Sequence, residues 1–114
     1  MERFVGMENK MSEIVVFITA SNEDEAAGIA HALVEARLAA CVNIVKGIRS
    51  VYRWEGKVED DSEILMIVKT QKNLFDQLAN KVMEHHSYSV PEIIALPIVA
   101  GLENYMKWLK EETG

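Results

Sequence analysis

The sequence predicts a mixed α+β fold of order β-α-β-β-α-β, closed by one extra helix, on three observations. Residues 14–18 and 64–68 are continuous apolar runs rich in β-branched side chains, as strands covered on both faces are. Stretches 21–38 and 70–86 carry apolar residues at helical spacing. Residues 51–54 alternate instead: Tyr52 and Trp54 share one face, Val51 and Arg53 the other, and Glu55-Gly56 follows as a hairpin tip.

Composition narrows the function classes. A chain of 114 residues suffices for one domain and argues against two. Twelve Lys+Arg against 18 Asp+Glu give a net charge of −6, so nucleic acid and anionic membrane are not expected partners. The one cysteine, Cys41, excludes an internal disulfide or a multi-cysteine metal site within one chain and suggests a reducing, cytoplasmic setting. No apolar run approaches the roughly 20 residues of a membrane span. Residues 1–12, with methionines at 1, 7 and 11, are expected to be a disordered extension, leaving 13–114 as the domain.

The elements follow in order. After the first strand, Ser21 opens a capping-box-like stretch, and Ala26, Ile29, Ala30, Leu33, Val34 and Leu38 mark a helix of about four turns ending near Leu38. The second strand starts at Cys41, is bent or bulged at Gly47, and resumes at Ser50. Residues 57–62 read as an exposed, charged strand arm leading into the apolar run 64–68. Thr70 is placed to N-cap a second helix with stripe Leu74, Phe75, Leu78, Ala79 and Val82, ending near His85-His86. Residues 93–99 form a fourth strand that Pro97 confines to an edge or a bulge, and Leu102, Tyr105, Met106 and Leu109 mark the last helix. This is the split βαβ, or ferredoxin-like, arrangement. In its strand order 4-1-3-2 the two doubly apolar strands are central, so the sheet face without helices calls for cover from another subunit or from the extra helix.

Few residues carry obvious chemistry. Cys41 reads as a small buried hydrophobe or, less readily, as a thiolate ligand or nucleophile. His85 and His86 suit a helix C-terminus as surface groups, or offer imidazoles to Cu(II), Ni(II) or Zn(II). Adjacent helical residues point about 100° apart, so such a pair needs further ligands from Glu92 or a neighbouring chain. The run Glu59, Asp60, Asp61, Glu63 reads as a solvated face, and His31 as surface. Lys69, ending a central strand, faces a cleft or snorkels.

Five short patterns occur in order: Leu38-Ala39-Ala40-Cys41-Val42-Asn43; Ser50-Val51-Tyr52-Arg53-Trp54-Glu55-Gly56-Lys57; Glu63-Ile64 through Lys69-Thr70; His86-Ser87-Tyr88 with Pro91-Glu92-Ile93; and Tyr105-Met106-Lys107-Trp108-Leu109. Together they resemble the CutA divalent-cation tolerance family from about Glu13 to Glu111. The resemblance implies a PII-like homotrimer of ferredoxin-like subunits in which the long hairpin pairs with neighbours. It implies a copper-binding role for His85 and His86, with Cu(II) or another divalent cation as the metal and no organic cofactor. Ile18 stands where some members add a cysteine, and Ser87 where a proline is usual. Cys41, Trp54, Lys69, Tyr88, Glu92, Tyr105 and Trp108 match residues that gather near an intersubunit cleft in that family.

The expected function is therefore a trimeric metal-tolerance protein that binds a divalent cation. The competing class is a PII-like sensor of a small anionic molecule held by Lys69 and the aromatic cleft. An enzyme using Cys41 or Lys69 ranks last, because no base–nucleophile pair is evident, and no catalytic residue is assigned.

Overall fold

The computed structural model describes residues 3–5 and 12–114. Most of the expected disordered extension, residues 1–2 and 6–11, lies outside the described residues. The elements are β1 (Phe4–Val5), β2 (Glu13–Ala20), α1 (Glu23–Glu35), β3 (Cys41–Trp54), β4 (Lys57–Gln71), α2 (Phe75–His85), β5 (Ile93–Pro97), β6 (Gly101–Leu102) and α3 (Glu103–Glu111). The main sheet is antiparallel in the order β3-β4-β2-β5, which is the ferredoxin-like order with the two apolar strands in the centre. β5, carrying Pro97 at its end, is an edge strand, as a residue without an amide donor requires. β1 pairs separately with β6, Phe4 opposite Leu102.

One face of the sheet is packed by helices. Ile14, Val16, Ile18 and Ala20 from β2 and Ile64, Met66 and Val68 from β4 meet Ala26, Ile29 and Leu33 of α1 and Leu78 and Val82 of α2. The opposite face carries Val15 and Phe17 of β2, Leu65 and Ile67 of β4, and Ile94 and Leu96 of β5, all half-buried or exposed. α3 reaches only one end of the molecule, where the Gln71 side-chain amide donates to the Thr113 hydroxyl at 2.7 Å and Lys110 lies 4.0 Å from Glu13. The extra helix therefore does not cover the open face of a single chain.

Three local expectations are corrected. The cap of α1 is Asn22, not Ser21: its side chain accepts the Glu25 amide at 2.8 Å, and Glu25 reaches back to the Ser21 amide at 3.2 Å. The reciprocal pattern of a capping box is present, shifted by one residue. The helix stops at Glu35 because Arg37 takes φ +60°, and the Leu38 and Arg37 amides bond back to the Leu33 and Val34 carbonyls. That is a Schellman stop with arginine where glycine is usual. The guanidinium holds the position by donating to the Gly114 and Glu111 carbonyls at 3.0 and 2.6 Å. Thr70 caps no helix. It is buried inside β4 and its hydroxyl donates to the Leu38 carbonyl at 2.7 Å, while α2 begins only after a 3-10 turn at Lys72–Leu74.

The β3–β4 hairpin projects from this body and stretches the molecule to 50 × 25 × 22 Å. Its radius of gyration, 15.2 Å, exceeds the roughly 13 Å expected of a compact chain of this length. The tip is a tight turn with Glu55 and Gly56 at φ +48° and +79°. Gly47, at φ +72°, sits in a bulge where the register jumps from Val45 opposite Leu65 to Ile48 opposite Glu63. One extra residue exchanges the two faces of a strand. Cys41, Asn43 and Val45 lie on the open face before the bulge; Ile48, Ser50, Tyr52 and Trp54 lie on it afterwards.

Candidate functional site

The seven expected cleft residues separate into two groups on one chain. Trp54, Tyr88 and Glu92 border a cavity of about 760 Å³ between the arm and the loop after α2, joined by Thr19, Arg49, Tyr52 and Glu63. Cys41, Lys69, Tyr105 and Trp108 gather at the other end. Cys41 lies opposite Lys69 in register, the Lys69 ammonium donates to the Asn43 side-chain carbonyl, and the Tyr105 and Trp108 rings lie 5.3 Å apart. Glu63 and Lys69 are six residue steps apart along β4, about 20 Å of strand. Cys41 is half-buried, and its thiol meets the Asn43 carboxamide at 3.9 Å.

The histidines differ sharply. The His86 side chain is fully covered, and both ring nitrogens are engaged. Nε2 lies 2.7 Å from the Thr19 carbonyl, an acceptor, so Nε2 carries the proton and donates. Nδ1 is then the acceptor for the Tyr88 amide at 3.0 Å. That arrangement leaves His86 no lone pair for a metal, so the two imidazoles do not form a ready chelate. Its visible work is to fasten the loop after α2 onto β2. His85 ends α2 and is exposed. Among the described residues no group of three His, Cys, Asp or Glu side chains is arranged to hold a metal ion.

Glu25 completes the loop's attachment. Its carboxylate accepts the Ser87 amide at 3.0 Å and lies 3.8 Å from His86 Nδ1. Burial pushes this carboxyl upward, but hydrogen bonds from Ser87 and Ser21 outweigh it, so Glu25 sits below the ordinary carboxylate value.

The acidic run is exposed at Asp60 and Asp61, as its composition suggests, but both are paired, and Glu63 is buried. Asp60 takes both prongs of the Arg49 guanidinium at 2.8 and 2.7 Å. Asp61 accepts the Tyr52 hydroxyl at 2.7 Å, and Glu63, which is buried, accepts the Tyr88 hydroxyl at 2.8 Å. The Asp61 bond holds the Tyr52 phenol protonated, pushed up to about 12; burial and the bond to Glu63 raise Tyr88 as well. Tyr52, Glu63 and Thr19 are site residues that sequence reasoning missed. The two-residue alternation of the arm was the available signal for Tyr52. The sequence marked Glu63 only as the end of an acidic run and the start of a family pattern; its burial comes with the Tyr88 hydroxyl that it accepts.

The CutA1 divalent ion tolerance protein family matches residues 14–112. The divalent-cation tolerance protein CutA of Thermus thermophilus is 54% identical over 90% of this chain and 99% of its own. Its solved structure superposes with a TM-score of 0.88. The chloroplastic CutA protein of Arabidopsis thaliana is 51% identical over 88% of this chain but 55% of its own length. The chain thus spans about half the length of that plant relative. The CutA structure from Synechococcus elongatus, 33% identical, superposes with a TM-score of 0.89 over 98% of this chain and 96% of its own.

Proposed function

The chain belongs to the CutA1 divalent ion tolerance family, and from that premise we propose that it binds a divalent cation, Cu(II) foremost, as a homotrimer. The contrast between the two histidines carries this reading. His86 is spent on the loop, whereas His85 presents an exposed imidazole at the C-terminal end of α2, where the helix dipole favours a cation. A single imidazole makes a poor shell, so the remaining ligands come from a neighbouring copy or a nearby carboxylate. The net charge of −6 per chain adds a general attraction for cations. Calorimetric titration with Cu(II) tests this. His85→Ala is expected to lose most of the affinity, while His86→Ala loses stability first. Undiminished affinity in His85→Ala removes the histidine-ligand reading.

A second reading rests on the divided cleft. If a neighbour's Lys69 end is brought against the Trp54 end, the seven residues make one intersubunit pocket of the PII-like kind, with Lys69 available to an anion. Thermal-shift screening with small anions tests it. A stabilising anion whose effect disappears in Lys69→Ala supports it, and an unchanged response in that variant counts against it.

A further inference from the structure

Arg37 holds a backbone conformation that glycine would take more easily. Its φ of +60° lies in the left-handed region, where a Cβ atom crowds the following carbonyl and where helix stops usually place glycine. A long basic side chain at such a position needs a reason beyond ending α1. The guanidinium supplies one. Its Nη2 donates to the Glu111 carbonyl at 2.6 Å and its Nε to the Gly114 carbonyl at 3.0 Å, while the Gly114 amide donates back to the Arg37 carbonyl at 2.9 Å. The Glu112 carboxylate lies 4.0 Å from Nη1. One residue at the end of α1 thus grips the end of α3, 74 residues further along the chain.

α3 is the element that depends most on such a grip. Its buried residues, Met106 and Leu109, stand outside the main core, and the helix packs on β4 and on the short β1–β6 pair. Its N-terminus has no side-chain cap. Its last carbonyls are taken one by one: that of Trp108 by the Glu112 amide at 3.0 Å, that of Leu109 by the Thr113 hydroxyl at 2.9 Å, and that of Glu111 by Arg37. A guanidinium there also meets the negative end of the helix dipole. We infer that Arg37 is a latch, a positioning residue that keeps α3 docked on the body, and that its release lets α3 open while the sheet, α1 and α2 stay folded. Because α3 carries Tyr105 and Trp108, the latch sets how these two rings are held beside Cys41 and Lys69. The latch is independent of which ligand the protein takes.

Amide hydrogen exchange on the full chain, compared between the parent, Arg37→Gly and Arg37→Lys, tests the latch. Glycine at φ +60° preserves the stop of α1 and removes only the guanidinium. Loss of hydrogen bonds from a charged donor is expected to speed exchange of the Lys107–Glu112 amides by about 10–100-fold, with the α2 amides unchanged. Arg37→Lys is expected to accelerate the same amides by a smaller factor, because one ammonium replaces a fork that spans two carbonyls. Acceleration confined to α3 in either variant supports the latch, so the test survives if one variant fails to fold. Parent-like exchange of α3 in both variants overturns it. Equal acceleration in α2 and α3 also overturns it, because the contact would then contribute only to the stability of the whole chain.

Discussion

The body of the molecule and its arm are built on opposite terms. In the body, Val16, Ile18, Met66, Val68, Leu78 and Val82 are wholly buried, and two helices seal one side of the sheet. In the arm, Val51 is 63% and Val58 65% exposed on one face, while Tyr52 and Trp54 remain about 40% or more exposed on the other. Apolar side chains on both faces of a two-stranded ribbon gain nothing from water, and an isolated hairpin is at best marginally stable. Continuous strands join the arm to the body, and the body's own open face is also apolar. The contrast teaches that this sequence encodes two packing problems. The chain solves the first alone. A second copy is the natural solution to the other.

The largest expected effect lies in the body. Leu78→Ala empties a wholly buried position between α2 and the sheet, and urea unfolding should show a loss of about 2–5 kcal/mol. A loss below about 1 kcal/mol would mean that the body is looser than its burial indicates. Next comes the loop that bounds the cavity. His86→Ala leaves the Thr19 carbonyl and the Tyr88 amide without their partner, at about 1–3 kcal/mol per buried group. Faster amide exchange should appear at Tyr88 before it spreads to α1. Asn22→Ala removes the cap of α1 and should cost about 1 kcal/mol by the same unfolding measurement.

The smallest effect is a pH dependence. Glu25 sits below its unfolded value when folded, so its contribution is fully present above the unfolded value of 4.5 and is lost as pH falls through the folded one. Acid unfolding curves should therefore show the parent chain losing stability below about pH 4.5 more steeply than Glu25→Gln. Identical curves would show that the carboxylate's hydrogen bonds to Ser87 and Ser21 matter only for geometry.

The strand order and the identity of the central strands were legible because burial of 14–18 and 64–68 is written as unbroken apolar runs. The bulge was legible because Gly47 interrupts a strand pattern. Local capping was less so. Ser21, Asn22 and Thr70 all have hydroxyl or carboxamide groups able to cap, and choosing among them depends on where the chain turns. Thr70 found its partner in the Leu38 carbonyl, 32 residues away. The site was the least legible part. The sequence placed two histidines side by side, but only folding sends His86 into the interior to grip Thr19 while His85 stays outside. Likewise Glu63 closes an acidic run in sequence, yet Tyr88 draws it out of solvent.

The direct test of the central contrast is the mass of the assembly in solution, by sedimentation or light scattering, for the parent chain and for Val51→Asp/Val58→Asp. The account predicts about three times the 12.9 kDa chain mass for the parent and a lower mass for the double variant with its circular dichroism retained. A parent chain that sediments at 12.9 kDa at micromolar concentration would leave both the arm and the open face uncovered, and would contradict it.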